Sequence, residues 1–341
     1  MKALAIRRYK APMEMMELPR PEPGPGELLV RVRAAGVNPL DHKIRDGAVK
    51  VLLPFSFPLI LGTDLAGDVA AIGPGVTKFK RGDAIYARLD SDRIGAFAEY
   101  AVVRESAAAQ KPARLDYTQA ASLPLVGLTA WQTLIELAQL RAGQKVLIHA
   151  GSGGVGTCAI QLAKHLGATV ATTAGAKNDA LVKSLGADVA IDYQTTRFEA
   201  VVRDQDVVLD TQGGDTLLRS FAVVKPGGVV VTVGGRPDAK FARAWGLSLP
   251  LVWILGFLNR KVDRLARERR VRFEYLFMRA SGEQLERLGA LVDQGAIKPV
   301  LDKIFPWEAA AEAISYVESG RAVGKVVIRV ADSRGKGGNG S

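Results

Sequence analysis

Three glycines at fixed spacing are the residues of this sequence best suited to chemistry. Gly151, Gly153 and Gly156 lie between an apolar run at 145–150 and a helical pattern at 156–167. There, the first glycine permits a tight turn, the second lets the backbone approach a pyrophosphate, and the third lets helix and strand pack closely. The N–H groups at the helix start would bind the phosphates. An ordinary tight turn would also use these glycines, but the context favours a dinucleotide site. Its predicted contacts are Gly151, Ser152, Gly153, Gly154, Val155 and Gly156.

The end of the next predicted strand, at 169–174, indicates which dinucleotide binds. A site for NAD normally has Asp or Glu about 20 residues after the glycines, where the carboxylate accepts hydrogen bonds from the ribose. This sequence has Ala174 and Gly175 there, followed by Lys177. Small residues leave room for a 2′-phosphate, and Lys177 would neutralise it unless it is an ordinary solvated lysine. Tyr193 could flank the phosphate or the adenine ribose, so the sequence favours NADPH over NADH.

The surrounding pattern changes along the chain. From about residue 122, strand patterns alternate with helical ones, which predicts βαβ units and a parallel sheet. The strand patterns are 145–150, 169–174, 189–193, 206–212 and 227–235, and the helical patterns are 129–140, 156–167 and 178–186. The first 120 residues instead contain short alternating segments separated by glycine and proline, which predicts an irregular all-β domain. These segments are 26–37, 64–75, 82–88 and 95–103. A helix, a glycine turn and a strand at 309–330 are predicted to return to that domain.

Composition sets broad limits on the class of protein. The 341 residues are 48% hydrophobic and 24% charged, which fits a globular protein of two domains rather than a disordered or collagen-like chain. The net charge of +11 favours anionic ligands or surfaces. A single cysteine, Cys158, allows no internal disulfide and fits a reducing compartment. The start of the chain predicts no secretory signal. The small polar residues 331–341 predict a disordered tail.

Seven segments between residue 1 and about 330 carry a family resemblance. They are AGVNPLDHKIRDG (35–47), PLILGTDLAGDVAAIGPGVTKFKRGD (58–83), GAFAEYAVV (95–103), LPLVGLTAWQTL (123–134), GSGGVGTCAIQLAKHLGA (151–168), VKSLGADVAIDY (182–193) and SGRAVGKVVI (319–328). Together they resemble the zinc-independent quinone oxidoreductase and enone reductase branch of the medium-chain dehydrogenase/reductase superfamily. The resemblance implies an α/β fold with two domains. A GroES-like, β-rich catalytic domain would comprise 1–122 and 300–330, and a Rossmann domain with a doubly wound parallel sheet would comprise 123–299.

The sequence departs from the zinc-dependent branch of that superfamily. That branch has a cysteine ligand where this chain has Asn38, and a His–Glu pair where it has Thr63 and Asp64. The branch also has four closely spaced cysteines for a structural zinc. Because tetrahedral zinc needs three or four suitable ligands, no metal site is expected.

The resemblance therefore implies hydride transfer without a metal to an electrophilic carbon of a small lipophilic quinone or enone. Charge would develop on the carbonyl oxygen, and a hydrogen-bond donor there would lower the barrier. Asn38 and Lys43, which the resemblance places beside the nicotinamide, are the candidate donors, although Lys43 could simply face solvent. The resemblance adds further cofactor contacts at Thr129, Val233, Gly234, Gly324 and Lys325.

The segment 245–272 departs most from the short members of this family. An apolar stretch at 245–258 precedes seven basic residues, Arg260, Lys261, Arg264, Arg267, Arg269, Arg270 and Arg272. This combination is typical of an element that lies at a membrane surface, but a dimer contact or a lid over the substrate cleft would also explain it. We expect a cytoplasmic homodimer, peripheral to a membrane if 245–272 binds one, with no nucleic-acid partner. The alternative function is a low-turnover NADPH-binding sensor or a membrane-associated protein that keeps this fold.

Overall fold

The computed structural model describes residues 1–330, and the predicted disordered tail, 331–341, lies outside the described residues. The chain forms two compact units. The first comprises Met1–Leu128 and the chain from Arg279 onward, and the second comprises Thr129–Met278. The sequence placed the two boundaries at 122 and 300 instead. The return comes earlier because the helix Gly282–Asp293 packs against the strand Ala108–Gln110 of the first unit. Tyr86 also donates a hydrogen bond to the carbonyl oxygen of Leu285 in that helix.

The strands are β1 (Lys2–Ile6), β2 (Glu14–Glu17), β3 (Glu27–Val37), β4 (Leu59–Ile60), β5 (Asp64–Ile72), β6 (Ala84–Arg88), β7 (Tyr100–Arg104), β8 (Ala108–Gln110), β9 (Lys145–Ile148), β10 (Thr169–Ala174), β11 (Val189–Asp192), β12 (Gln205–Asp210), β13 (Val224–Thr232), β14 (Arg272–Tyr275), β15 (Leu301–Pro306) and β16 (Lys325–Arg329). The helices are α1 (Pro39–Arg45), α2 (Tyr117–Ala121), α3 (Pro124–Trp131), α4 (Gly154–His165), α5 (Asp179–Ser184), α6 (Gly214–Ser220), α7 (Ala239–Ala244), α8 (Leu249–Arg269), α9 (Gly282–Asp293) and α10 (Ala310–Glu318). The helix predicted at 129–140 consists instead of the end of α3 and a π-helical segment, Gln132–Leu137.

The second unit contains a six-stranded sheet in the order β11-β10-β9-β12-β13-β14. All of its strand pairs are parallel. Counted along the chain, this is the order 3-2-1-4-5-6 of a Rossmann fold, so the predicted doubly wound sheet is confirmed. The central strand β9 is buried on both faces, as its residues Val146, Leu147 and Ile148 are inaccessible to solvent. In this fold, the chain order reverses beside the first strand, and β9 is followed directly by the glycines.

The first unit is built around a seven-stranded sheet, which is mostly antiparallel. Its order is β15-β16-β3-β5-β6-β8, and β7 also pairs with β3. A separate three-stranded sheet has the order β2-β1-β4. The sequence predicted β3, β5, β6, β7 and β16, but not β1, β2, β4, β8 or β15. It also missed α1, which interrupts the β-rich region after Val37. Proline favours the first turn of a helix, and Pro39 begins α1 directly after Asn38. The strand β16 pairs with β3, so the end of the chain completes the first sheet.

The segment 245–272 forms most of the connection between β13 and β14. Helix α7 packs against α8, and α8 leads into β14 at the edge of the second sheet. The buried side of α8 carries Val252, Asn259 and Val262. Among residues 1–330, no helix has both the length and the apolar composition needed to cross a membrane.

Candidate functional site

The glycine turn, residues 150–156, connects β9 to α4. It is fixed to the neighbouring strand β10 by a hydrogen bond from the N–H of Gly151 to the carbonyl oxygen of Thr173, 2.8 Å. Gly153 directly precedes α4. Gly151 and Gly156 are buried, whereas the residues between them are partly exposed. The first N–H groups of a helix have no partner within it. The turn therefore presents backbone donors and a positive helix end to an anionic ligand, as the sequence predicted.

Close packing explains two of the three motif glycines. A Cβ at Gly156 would lie 2.3 Å from the carbonyl oxygen of Ala150, and one at Gly151 would lie 2.0 Å from Oγ1 of Thr172. A Cβ at Gly153 would come only within 3.3 Å of that same carbonyl oxygen. The sequence assigned the tight turn to Gly151, but the residue with positive φ is Ala150, at 53°. Gly151 is therefore required by its contact with β10 rather than by its own backbone conformation.

The end of β10 lies where the sequence placed the ribose contacts. Ala174 is buried, Gly175 follows it, and Lys177 is exposed in a short 3₁₀ turn. Tyr193 is 63% exposed, and its ring would lie 3.8 Å from a Cβ at Gly175. Ala174, Gly175 and Tyr193 thus come together within the second unit. No carboxylate follows Ala174 in this stretch before Asp179.

Asn178 is a residue of this region that the sequence reasoning missed. Its Nδ2 donates to Oγ of Ser152, 3.1 Å, and so joins the turn after β10 to the glycine turn. The sequence offered one signal for this role, which is the position of Asn178 directly after Lys177. An amide side chain in that turn can connect it to an adjacent loop at the same edge of the sheet. The contact orients Ser152, which the sequence predicted to bind the cofactor.

The ends of β12 and β13 lie close together. A Cβ at Gly234 would be 2.5 Å from the carbonyl oxygen of Thr211, and the N–H of Val233 donates to the carbonyl oxygen of Asp210, 2.9 Å. The Asp210 carboxylate accepts hydrogen bonds from Oγ1 of Thr232 and from the N–H groups of Gln212 and Gly213. Burial raises the pKa of Asp210, and these hydrogen bonds oppose the increase. Asp210, also missed by the sequence reasoning, thus fixes the backbone that carries Val233 and Gly234.

His149 is a buried residue that directly precedes the glycine turn. It is 1% exposed, its Nε2 lies 3.0 Å from Oγ of Ser220, and its Nδ1 lies 3.3 Å from Oγ1 of Thr173. Burial lowers the pKa of this imidazole to about 4. The ring is therefore neutral near neutral pH and serves as a buried hydrogen-bonding group. This agrees with the structural role that its position just before the glycines indicates.

The first unit contains a buried polar group, which we call the Lys325 cluster: Asn38, Asp41, Thr63, Asp64 and Lys325. The Lys325 ammonium donates to Oδ1 of Asn38, 2.6 Å, and to the carbonyl oxygen of Val37, 2.8 Å. Nδ2 of Asn38 donates to Oδ2 of Asp64, 2.9 Å, and to Oγ1 of Thr63, 3.3 Å. All five side chains are at most 5% exposed. Both hydrogens of the Asn38 amide are thus bonded within the cluster, whereas the sequence predicted a bond to substrate or cofactor.

Charges in the Lys325 cluster are shifted by burial. Lys325 lies 3.8 Å from Oδ2 of Asp64. Burial lowers the pKa of Lys325 and raises the pKa of Asp64, while their mutual attraction opposes both shifts. Burial also raises the pKa of Asp41 to about 7. The Asp41 carboxylate accepts a hydrogen bond from the N–H of Asn38, 2.7 Å, and so fixes the start of α1 rather than pairing with Lys43.

Lys43, the second predicted donor, is exposed on α1. It lies two residues after Asp41, which the cluster holds in place. Gly324, directly before Lys325, has a φ of 78°, and a Cβ there would lie 2.3 Å from the carbonyl oxygen of Val300. Thr129 is buried in the second unit. The predicted site residues are thus divided between the two units, with Asn38, Lys43, Gly324 and Lys325 in the first.

Within residues 1–330, side chains that could together bind a metal ion are found in one place. His42, Asp46 and Glu318 have ligand atoms within 4.8 Å of one another. Both carboxylates pair with Arg45, which lies 2.8 Å from Asp46 and 3.0 Å from Glu318. The arrangement is therefore that of an ion-pair network at the surface.

Comparisons with known proteins agree with this geometry. The family model described as an alcohol dehydrogenase GroES-like domain matches residues 24–113, and the one described as a zinc-binding dehydrogenase matches residues 185–328. The chain resembles the chloroplast envelope quinone oxidoreductase homolog of Arabidopsis thaliana, with 33% identity over 96% of this chain and 98% of the relative. It also resembles the NADPH-dependent alkenal/one oxidoreductase, chloroplastic, of the same plant, with 36% identity over 90% of this chain and 73% of the relative.

Solved structures give the same result. The quinone oxidoreductase from Coxiella burnetii superposes with a TM-score of 0.84 and is 33% identical over 97% of this chain and 99% of its own. The relatives' shared chemistry identifies this protein as an oxidoreductase that uses a nicotinamide cofactor. The chain belongs to the medium-chain dehydrogenase/reductase superfamily and groups with its quinone oxidoreductases and enone reductases.

Proposed function

We propose that this protein transfers hydride from NADPH to a small lipophilic quinone or α,β-unsaturated carbonyl compound, without a metal ion. The observation that carries the proposal is the end of β10. There Ala174 and Gly175 lie beside exposed Tyr193, and Lys177 follows within the same turn. A carboxylate after this strand would repel a 2′-phosphate, whereas small residues and a cation accommodate it. Two relatives support the substrate class by their names, which describe a quinone oxidoreductase homolog and an alkenal/one oxidoreductase.

The glycine turn fits the phosphates of this cofactor. Its buried glycines leave no room for Cβ atoms, while Ser152 to Val155 are partly exposed. Backbone N–H groups of residues 154–156, at the start of α4, would hold the pyrophosphate, and Ser152, oriented by Asn178, would add a hydroxyl. When bound, the nicotinamide supplies the hydride. The task of these residues is to fix the cofactor's position and orientation.

The donor set of the Lys325 cluster supports the metal-free part of the proposal. Zinc in proteins is bound by thiolate, imidazole or carboxylate groups. At the positions where zinc-dependent relatives have their ligands, Asn38 and Thr63 are neutral, and Asp64 is bonded to Asn38 and to the N–H of Leu125. The Lys325 ammonium already supplies a positive charge beside this carboxylate. These residues do not fit a catalytic zinc, despite the description of the matching family model.

We assign the polarisation of the substrate carbonyl to Lys43 rather than Asn38. The amide of Asn38 is fully used within the cluster, whereas Lys43 is exposed on α1 with its ammonium available. A cation stabilises the negative charge that develops on a carbonyl oxygen as hydride arrives. The resulting enolate or hydroquinone anion takes its proton from water, so no strong general acid is needed. Asn38 and Lys325 then act by holding the start of α1.

Steady-state oxidation of NADPH and NADH tests the proposal, with a panel of enones, alkenals and quinones and with enzyme treated with a chelator. We expect turnover of at least one class, a preference for NADPH, and no loss after chelation. Lys43→Met should lower kcat roughly ten- to a hundredfold, and Lys43→Arg should recover part of the loss because it keeps the charge. Loss of activity on chelation and recovery with zinc would refute the metal-free mechanism. Binding of NADPH without turnover of any acceptor would favour the low-turnover sensor instead.

Several expectations about the protein's surroundings stay predictions. They are the homodimer, the cytoplasmic location and the absence of a nucleic-acid partner. Two relatives carry the word chloroplast or chloroplastic in their names, so these names do not support a cytoplasmic location.

A further inference from the structure

Helix α8 presents a large apolar surface to solvent. Its exposed residues are Leu249 (72%), Trp253 (76%), Ile254 (53%), Phe257 (64%) and Leu258 (46%), and Trp245 (40%) lies just before it. Scattered exposed apolar residues are ordinary, but five within three helical turns, including two large aromatic rings, form a contiguous patch. We call this patch, with Arg260, Lys261 and Arg264, the outer face of α8.

The outer face cannot turn inward, because the opposite side of α8 is fixed to the second unit. Val252 and Val262 are buried, and Asn259 between them donates from Nδ2 to the carbonyl oxygen of Pro237, 2.8 Å. Val262 belongs to the hydrophobic core that includes Phe221 and Val230. A rotation that hid Trp253 would expose these residues and break the Asn259 hydrogen bond. The apolar surface is thus a fixed feature of the fold.

On the outer face, basic residues come directly after the apolar patch along α8. Residues spaced by three or four share a helix face, which places Trp253, Phe257, Arg260 or Lys261, and Arg264 in one row. The Arg260 guanidinium lies 3.9 Å from the centre of the Phe257 ring, so the aromatic and basic parts touch. Within residues 1–330, Arg260 and Lys261 form no ion pair with a carboxylate, and Arg264 pairs only loosely with Glu268, at 3.7 Å. Residues 260–272 hold seven basic and two acidic residues, Asp263 and Glu268.

From this order we propose that the outer face of α8 binds the surface of an anionic membrane. An interfacial helix lies in the membrane plane with apolar residues below the headgroups and basic residues at the anionic phosphates. Tryptophan favours this boundary, and Trp253 is its most exposed aromatic residue. A second copy of this chain fits less well, since two such faces would bring unpaired cations together in a protein of net charge +11. The lipid surface would hold the enzyme where lipophilic acceptors are concentrated.

Vesicle sedimentation of the full chain tests the proposal independently of catalysis. The vesicles contain phosphatidylcholine alone or with roughly one third phosphatidylserine. We expect binding to the anionic vesicles at low salt, little binding to phosphatidylcholine alone, and release at high salt. Arg260→Gln/Lys261→Gln should weaken binding roughly 30-fold, since each basic residue near such a surface contributes roughly a factor of five and the two factors multiply. Lys80→Gln/Arg81→Gln, which removes the same charge from an exposed part of the first unit, should bind like the wild type.

The apolar part has its own variants. Trp253→Ser/Phe257→Ser should reduce binding to anionic vesicles at least roughly tenfold, while Val51→Ser/Val201→Ser, at two other exposed positions, should not. Trp253→Phe should keep binding but lose the fluorescence shift that vesicles cause in the wild type. Turnover of a water-soluble acceptor should be unchanged in all of these variants. The proposal is refuted if the wild type stays in the supernatant with anionic vesicles, or if Trp253→Ser/Phe257→Ser binds normally. It is also refuted if that variant converts a dimer to a monomer in solution, which would assign the face to a second copy, or if it loses turnover in solution, which would make α8 a substrate lid.

Discussion

The polar groups of the glycine turn and those of the Lys325 cluster differ in whether they are available to a ligand. The glycine turn is formed by backbone. The N–H groups of Gly151 and Gly153 are bonded to neighbouring carbonyl oxygens, but those of residues 154–156, in the first turn of α4, remain available to a ligand. The side chains of the Lys325 cluster are at most 5% exposed. Those of Asn38, Thr63, Asp64 and Lys325 bond to one another, and Asp41 accepts from the N–H of Asn38, while its Oδ1 has no partner among the described residues. A surface with unused donors can bind a ligand, whereas side chains that are bonded to one another hold the parts of the chain that carry them. The glycine turn is therefore suited to binding a ligand, and the Lys325 cluster to positioning the start of α1.

The positions joined by the Lys325 cluster show what it holds. Lys325 begins β16, Asn38 lies between β3 and α1, and Asp64 begins β5. The start of α1 is therefore attached to two strands of the first sheet through side chains. Lys43 follows on α1, so its direction depends on these bonds. Removing one partner from a buried polar network leaves the remaining groups unsatisfied, which makes each bonded member hard to replace.

The largest effect should come from removing the cation of the Lys325 cluster. Lys325→Met removes the cation that lies 3.8 Å from buried Asp64, so that only the charge of buried Arg88 still acts on this carboxylate. Breaking a buried pair in this way typically costs about 3–5 kcal/mol of unfolding free energy. Hydrogen exchange of the β3 and β16 amides measures the loss. It should be greater at high pH than at low pH, since burial raises the pKa of Asp64 and a protonated Asp64 needs no cation beside it. Lys303→Met is the control: this exposed lysine lies 4.1 Å from the Tyr316 ring and should cost about 1 kcal/mol or less. Equal losses for the two variants would show that the cluster does not hold the sheet.

A methyl group in the glycine turn should have the next largest effect. In Gly156→Ala the new Cβ would meet the Ala150 carbonyl oxygen at 2.3 Å, and backbone on both sides leaves little freedom to move. We expect a loss of about 3 kcal/mol in unfolding free energy, at the upper end for an overpacked site. Gly153→Ala, with 3.3 Å to the same oxygen, should fold normally and lose affinity for the cofactor instead. Urea unfolding and a fluorescence titration with NADPH separate the two. If Gly153→Ala unfolded as easily as Gly156→Ala, the turn would be a packing element rather than a binding surface.

The same contrast explains what the sequence could predict. The residues of the glycine turn are adjacent in sequence and follow a spacing set by local geometry, so the motif, β9, α4 and β10 were all predictable. Asn38 and Lys325, by contrast, are 287 residues apart and meet only when β16 pairs with β3. No local pattern contains that pairing. The family resemblance indicated that both residues matter, but it assigned them to ligands, because their bonds to each other are a property of the folded sheet.

Other differences between the sequence-based prediction and the structure also have specific causes in the folded chain. The return to the first unit at Arg279 depends on α9 packing on β8, which is a tertiary contact. Ala150 adopts a positive φ, although the neighbouring Gly151 could adopt one with less strain. The position of Gly151 is occupied by glycine for another reason, because a Cβ there would collide with Thr172. Asn178 and Asp210 bond to particular loops and have no spacing rule. Periodicity thus predicted the elements, while the identity of the polar partners required their three-dimensional arrangement.

His149 allows a test by pH of whether the glycine turn depends on a buried neutral group. The folded state lowers its pKa to about 4 from the ordinary value of 6.5, so the unfolded chain binds the proton more readily between these values. The stabilising contribution is therefore complete above pH 6.5 and is lost as pH falls toward 4. Between pH 8 and pH 5 we expect the contribution of His149 to the unfolding free energy to fall by about 2 kcal/mol, while Asp41, whose pKa burial raises to about 7, acts in the opposite direction. Urea unfolding of His149→Gln should lack this part of the pH dependence, and His165→Gln, at an exposed histidine, should retain it. A wild-type pH profile in His149→Gln would assign the acid sensitivity to other groups, such as carboxylates whose pKa the folded state lowers, among them Glu199 and Asp206.

The smallest effect concerns the exposed end of the binding surface, where solvent screens charge. Lys177→Glu replaces attraction for a 2′-phosphate by repulsion, and since an exposed pair contributes about 1 kcal/mol or less, reversal should raise KM for NADPH roughly tenfold. KM for NADH should change little, because that cofactor has no phosphate at this position. Arg203→Glu, an exposed charge reversal in the same unit, controls for the general field of the protein. Added salt should reduce the difference between the two cofactors in the wild type and leave it small in Lys177→Glu. If both cofactors lose affinity equally, Lys177 acts on the pyrophosphate or on the fold, and the selectivity must come from Tyr193 and the small residues at the end of β10.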